Sequence, residues 1–160
     1  MINATEPASF DLCNFSNTKI ENGDGTSAKI SRSYLYKTVF KGGKYYNLEL
    51  NGSYCREACF LDAECNNMKF ENSDLTLADF TRAYNINIHE IAKAKYLAGA
   101  KFSKAFLDKL QADYPNLLKR INEKPKELIS ESEILYVDKN FHWKPTPRFP
   151  FDDRVYNDTR

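Results

Sequence analysis

Residues 58–80 read Ala58-Cys59-Phe60-Leu61-Asp62-Ala63-Glu64-Cys65-Asn66-Asn67-Met68-Lys69-Phe70-Glu71-Asn72-Ser73-Asp74-Leu75-Thr76-Leu77-Ala78-Asp79-Phe80. Every fifth residue, from Phe60 through Cys65, Phe70 and Leu75 to Phe80, is bulky and apolar or a cysteine. Two places before each stands Ala58, Ala63, Met68, Ser73 or Ala78, small in all cases but Met68. The period extends back through Cys55, Leu50, Tyr45, Phe40, Leu35, Ile30, Gly25, Ile20, Phe15 and Phe10, and only Gly25 breaks the rule. With 42% hydrophobic residues overall, chance would fill about six of these fifteen slots. A repeat of five therefore organises the first half of the chain.

The stretches Ala58-Cys59-Phe60, Ala63-Glu64-Cys65, Ser73-Asp74-Leu75 and Ala78-Asp79-Phe80 resemble the motif of the pentapeptide-repeat family. The resemblance covers residues 8–85. It implies a mainly β solenoid: a right-handed, four-sided β-helix of about four coils, with one pentad per side. In such a tube the bulky residues fill the axis, small ones fit the corners, and the remaining positions face water. One repeat cannot bury its own apolar face and must stack on the next.

Four pentads per coil place residues twenty apart on top of one another. The charged pairs at that spacing are Glu21–Lys41, Asp24–Lys44, Lys44–Glu64, Lys29–Glu49, Glu49–Lys69, Lys37–Glu57 and Asp62–Arg82, every one opposite in sign. Spacing fifteen gives mostly like pairs, such as Lys29–Lys44 and Glu49–Glu64. Adjacent rungs disfavour like charges, so the pattern selects twenty. It also argues against a β-hairpin over residues 34–46, whose Gly42-Gly43 pair would suit a tight turn.

The predicted core is Phe10, Phe15, Ile20, Ile30, Leu35, Phe40, Leu50, Phe60, Phe70, Leu75 and Phe80. One axial column is thin: Gly25, Tyr45, Cys65, Asn85. There Gly25 is expected to make room for Tyr45 by volume compensation.

After Asn85 the period is lost, and the expected organisation is a β-helix over 1–85, a helical cap over 86–133 and a tail over 134–160. Asn87 caps a helix with Glu90 three residues later, carrying Ile88, Ile91, Ala92, Lys95 and Tyr96 on one face and stopping at Gly99. Ser103–Asp113 reads as a second helix, and Pro115 and Pro125 start two short ones over Leu117–Ile121 and Glu127–Ile129. The competing reading continues the repeat through Ala100-Lys101-Phe102 and Ala105-Phe106-Leu107 in a shifted phase. Glu133–Val137 reads as a short strand. The tail, with Phe141, Trp143, Pro145, Pro147, Phe149, Pro150, Phe151 and Tyr156, is too apolar for ordinary disorder. It is expected to pack on the body or on a partner.

No stretch approaches the length of a membrane span and the start lacks a signal-peptide pattern, so a cytoplasmic location is the expectation. Cys55 and Cys65 take axial slots, Cys13 a corner slot, and Cys59 points outward. A zinc site from Cys55, Cys59 and Cys65 would need ligands on both sides of the wall, so no metal or cofactor is expected. His89 and His142 stand outside any nucleophile or metal motif, and Lys41-Gly-Gly-Lys44 lacks the setting of a phosphate loop. An enzyme is not expected.

The leading expectation is a protein-binding or regulatory module. Its candidate contact residues are the outward aromatics Tyr34, Tyr36, Tyr46 and Tyr54, expected to form an exposed patch, the acids Glu57, Asp62, Glu64, Asp74 and Asp79, and Trp143 in the tail. The family resemblance implies an alternative, a DNA mimic that binds a type II topoisomerase such as gyrase. Residues 45–81 carry seven acids against two bases, whereas the chain as a whole is +1, a partial match. A second alternative is nucleic-acid binding through Lys93, Lys95, Lys101, Lys104, Lys109, Lys119 and Arg120. The resemblance also implies that two chains could join through their helical ends.

Overall fold

The structure is a computed structural model that describes residues 7–125, together with the backbone of two short strands at 136–137 and 143–144. The chain divides into two compact units, Met1–Pro125 and Lys126–Arg160.

The first unit is a four-sided β-helix. Short strands β1 (Ser9–Asp11), β2 (Lys19–Glu21), β3 (Lys29–Ser31), β4 (Val39–Lys41), β5 (Cys59–Leu61), β6 (Asp79–Phe80) and β7 (Lys101–Phe102) stack in parallel. The register is the predicted one of twenty, with Phe10 on Ile30, Ile20 on Phe40 and Phe40 on Phe60. Asn14–Tyr34, Asp24–Lys44 and Lys29–Glu49 stay in phase across residues 34–46, so the tube is unbroken there. We name the four sides by one residue of each: the Glu49, Tyr54, Phe60 and Glu64 sides. Phe60 itself points to the axis of its side.

Many corners are four-residue turns closed by a backbone bond, as in Thr38 N–H to Leu35 C=O at 3.1 Å and Ala58 N–H to Cys55 C=O at 3.1 Å. The residue before the small one is left-handed at every corner from Leu12 to Leu77, with φ of 54° at Lys37 and 55° at Glu57. Asn or Gly occupies many of these corners, at 17, 22, 42, 47, 52, 67 and 72, because they tolerate that conformation best. At Gly43 even a methyl group would collide with the neighbouring coil. A Cβ on Gly43 would lie 2.4 Å from the Gly23 carbonyl oxygen.

Aromatic stacking holds the axis. Phe40, Phe60, Phe80 and Phe102 form a column with centroids 4.9, 4.4 and 5.2 Å apart and nearly parallel rings. Ile30, Leu35, Leu50, Phe70 and Leu75 are buried as predicted. Phe10, Phe15 and Ile20 depart from the prediction. Phe10 is 42% exposed and the other two are half-buried, because among the described residues no coil stacks on the first. The thin column is filled as expected by volume compensation. A Cβ on Gly25 would meet Tyr45 Cδ1 at 2.9 Å, and Leu48 and Met68, the two large residues in small slots, are buried.

Serine at the corner preceding the Tyr54 side has a purpose that alanine cannot serve. Ser33, Ser53 and Ser73 are fully buried; the Ser53 hydroxyl donates to Ile30 C=O at 2.8 Å and accepts from Ser33 N–H at 3.1 Å. This hydroxyl ladder satisfies backbone groups that would otherwise be buried unpaired.

The tube continues beyond residue 85, the expected end of the repeat. Helix α1 (Ile88–Ala92) replaces one side of the next coil, and its N-cap Asn87 accepts from His89 N–H. It stops at Lys93, not Gly99, because the chain rejoins the wall: Asp74 pairs with Tyr96 and Phe80 with Phe102, now twenty-two residues apart. The shifted-phase reading therefore holds for 100–102. It fails for 105–107, which lie in α2 (Lys104–Asp113), capped by Ser103. Helix α3 (Pro115–Ile121) follows with Pro115 at its first turn. Phe106 stacks on Phe102 at 4.6 Å, and Leu110, Leu117 and Ile121 are buried beneath, closing this end of the tube. Arg120 locks the cap by donating to the carbonyls of Ala92, at 2.9 Å, and Ala94.

In the second unit, β8 (Tyr136–Val137) pairs antiparallel with β9 (Trp143–Lys144). The expected helix at 127–129 and the first part of the expected strand at 133–137 lie outside the described residues.

Candidate interaction faces

The four outer sides share one backbone pattern and differ in what their outward side chains meet. On the Glu49 side, Lys69 Nζ lies 2.8 Å from Glu49, and Lys29 lies 3.9 Å from it. The Lys69 contact holds the Glu49 carboxyl below its ordinary range. Asp62 takes Arg82 in a two-pronged contact at 2.9 and 2.7 Å, and Glu57 has Lys37 at 3.9 Å. Asp79 is engaged locally, accepting from Thr81 N–H and Oγ–H at 2.9 and 2.6 Å.

The predicted acidic residues therefore do not form one patch. Glu57 and Asp62 sit at corners, Asp79 on the Phe60 side, Glu64 on its own side and Asp74 on the Tyr54 side. Residues 7–85 carry nine basic side chains against ten acidic ones. Cations one coil away offset the acids, which is a poor imitation of duplex DNA.

The tyrosines give the main correction. Tyr34, Tyr54, Asp74 and Tyr96 run up one side, with Tyr36 and Arg56 beside them. They point away from the axis as predicted, yet the expected exposure is wrong: Tyr36 is 4%, Tyr54 2%, Arg56 7% and Asp74 2% exposed. Ring centroids of Tyr34 and Tyr36 each lie 6.3 Å from that of Tyr54. Burial pushes the Tyr54 hydroxyl up to about 12. Burial also raises the Asp74 carboxyl, outweighing the Thr76 N–H it accepts at 2.8 Å and Arg56 at 3.9 Å. Outward phase tells which way a side chain leaves the tube; it does not tell whether water reaches it.

The Glu64 side is the open one. Asp24, Lys44, Glu64 and Tyr84 stack up it, and Tyr46 donates its hydroxyl to the Glu64 carboxylate, which raises the Tyr46 hydroxyl. Tyr84 is 55% exposed. It was missed in the sequence, although its phase, twenty residues after Glu64, could have placed it on this side.

The basic residues of the cap are partly committed. Arg120 is a capping group, Lys93 pairs with Glu90 at 2.7 Å, and Lys104 with Asp108 at 2.9 Å. Lys101, Lys109 and Lys119 are exposed. His89 packs edge-on against Tyr114 at 5.8 Å. The cysteines are free thiols; Cys55 and Cys65 are buried on the axis and Cys59 faces outward, so these three do not converge. Trp143 lies in β9 of the second unit. Among the described residues, no helix is long and apolar enough to cross a membrane.

No protein-family profile and no curated protein matches the chain. Solved structures do. A pentapeptide repeat protein from the Arabidopsis thaliana thylakoid lumen is similar at 13% identity and TM-score 0.48, over 66% of this chain and 76% of that one. A trypsin-treated form of QnrB1, a plasmid-mediated fluoroquinolone resistance protein, is similar at 19% identity and TM-score 0.43. That match covers 59% of this chain and 42% of QnrB1, less than half its length. The pentapeptide repeat protein Rfr23 from the cyanobacterium Cyanothece 51142 is similar at 16% identity and TM-score 0.23, over 61% of this chain and 82% of that one. The twenty-residue register, the left-handed corners and the stacked axial columns make this chain a pentapeptide-repeat β-helix.

Proposed function

We propose that this protein is a non-catalytic binding module that docks a protein partner on the Glu64 side of its β-helix. The observation that carries the reading is Tyr84, an aromatic side chain more than half exposed on a flat wall, next to the Tyr46–Glu64 pair. Tyrosine is enriched at binding surfaces because a rigid, apolar ring and a polar tip serve both halves of an interface. The neighbouring Asp24, Lys44 and Glu64 supply a mixed-sign rim, which suits a protein surface better than a polyanion. The paired acids of the tube weigh against DNA mimicry, and the committed Arg120, Lys93 and Lys104 weigh against nucleic-acid binding by the cap.

The test is affinity capture with the full chain, comparing wild type with Tyr84→Ser and Tyr46→Phe. Loss of the captured partner by about tenfold or more in Tyr84→Ser, with the β-helix signal retained in circular dichroism, is the expected result for an interface anchor. Equal capture by wild type and Tyr84→Ser would remove this side from consideration.

A further inference from the structure

We propose that two copies of this chain join head to head, through the edges of their first coils, in a closed two-fold dimer. The two ends of the tube are unlike. At one end Phe106, Leu110, Leu117 and Ile121 lie over the last coil. At the other, among the described residues, β1 pairs only with β3 and β2 only with β4. Phe10 and Leu12 there are 42% and 44% exposed, and Tyr84 is the one other large apolar side chain exposed among the described residues. An unpaired strand edge beside exposed apolar groups is a template for another chain. The capped end cannot receive that edge, so head-to-tail growth is blocked. The pairing that remains is of one edge with its identical copy, which closes at two.

Backbone and side chains select one register for that dimer. Two ends facing each other across a two-fold axis bring equivalent strands together antiparallel. Within the tube, the amide before an axial residue donates to the preceding coil, as Lys29 N–H to Ala8 C=O at 2.8 Å and Val39 N–H to Thr18 C=O at 2.9 Å. The carbonyl after the axial residue accepts from that coil, as Lys41 C=O does from Asn22 N–H at 2.8 Å. On the first coil the corresponding groups are the N–H of Ser9 and Lys19 and the C=O of Asp11 and Glu21, and no described strand lies against them. An antiparallel pair centred on Ile20 sets Lys19 N–H against Glu21 C=O of the second copy, and the reverse; one centred on Phe10 does the same for Ser9 and Asp11. These strands lie on opposite walls, so a single axis serves both. The same axis sets the half-buried Phe15 opposite Gly25 of the second copy, the bulky slot against the thin one.

Charge agrees with this register. Opposite charges stack on adjacent rungs of the tube, Glu21 and Lys41 at 3.2 Å among them. Centring on Ile20 puts Lys19 of each copy on Glu21 of the other and extends the alternation by one rung. A parallel arrangement would stack Lys19 on Lys19 and Glu21 on Glu21, which adjacent strands disfavour. In the single chain Lys19 and Glu21 meet each other at 2.8 Å, so the second copy replaces like with like. The inference is independent of the partner-binding reading, since it uses an end of the tube and that reading uses a side.

The measurement is sedimentation equilibrium of the full chain over a range of concentrations, with circular dichroism as the check on the fold. It compares wild type, Glu21→Lys and the double swap of Lys19→Glu with Glu21→Lys. Wild type should reach the mass of a dimer and go no further. Glu21→Lys sets lysine against lysine across the axis at two symmetric places and should weaken association by about tenfold or more. The double swap restores opposite charges between the copies and should recover most of that loss, which a merely structural role of Glu21 would not do. Should Glu21→Lys lose the β-helix signal, Leu12→Glu at the exposed corner takes its place with the same expected loss. A wild type that stays monomeric at every concentration, or that grows beyond a dimer, would overturn the proposal. So would a dimer that Glu21→Lys leaves intact, which would join the chains elsewhere.

Discussion

The Tyr54 side and the Glu64 side of the tube are built from the same pentads, in the same phase, one wall apart from each other across the axis. One presents three tyrosines, an arginine and an aspartate that water scarcely reaches; the other leaves Tyr84 more than half exposed and Asp24 and Lys44 in solvent. The repeat dictates the axis and the corners and leaves the outer positions undetermined. Those positions are consequently where two sides of one solenoid can diverge in function, one closed and one open for binding.

The largest perturbation would erase the comparison altogether. Phe60 stacks between Phe40 and Phe80 and is fully buried, so Phe60→Ala should cost about 3–5 kcal/mol in denaturant unfolding and loosen both sides. A cost below about 1 kcal/mol would mean the column is not the frame that holds the walls. A smaller and more local effect comes from Gly25→Ala. The added methyl would meet the Tyr45 ring at 2.9 Å, forcing the thin column under the Glu64 side to repack at about 1–3 kcal/mol. Amide chemical shifts around Tyr46 and Glu64 should then move more than those around Tyr54. An equal spread over both sides would show that the walls are not independent.

The pH dependence sharpens the contrast further. The buried Asp74 carboxyl has its pKa raised in the fold, so the folded protein holds that proton more tightly than the unfolded chain. Its burden on stability is absent below the ordinary aspartate range, grows as pH rises through that range toward the folded value, and is complete above it. Glu49 has its pKa lowered by Lys69, so its contribution is present above the ordinary glutamate range and is lost as pH falls through the folded value. Carboxyl titrations by NMR should therefore place Asp74 above and Glu49 below the ordinary ranges. An Asp74 that titrates like a solvated side chain would indicate a wet Tyr54 side.

Much of this fold was legible because its constraint is periodic. The opposite-sign pairs Lys29–Glu49, Lys44–Glu64 and Asp62–Arg82 identify a coil of twenty from the sequence, and Gly25 marks the space that Tyr45 fills. The cap was harder to read. Ile88–Gly99 has a helical pattern, yet the wall above Asp74 and Phe80 was still available for pairing. The chain therefore left the helix at Lys93 and returned to it as Tyr96 and Phe102. A two-residue insertion hides that return from any search at a fixed period. The tyrosines mark the other limit: phase placed Tyr34, Tyr36 and Tyr54 outside the tube, but solvent access depends on what covers a side, which the repeat does not encode. Tyr84 was passed over for the complementary reason, since it lies at the edge of the recognisable pentads.

The most direct test of the closed and open sides is hydroxyl-radical labelling of the folded full-length chain, with the modified tyrosines quantified by mass spectrometry. Tyr84 should label strongly and Tyr46 moderately, while Tyr34, Tyr36 and Tyr54 stay protected until the protein is unfolded. Labelling of Tyr54 as fast as Tyr84 in the folded protein would contradict the account.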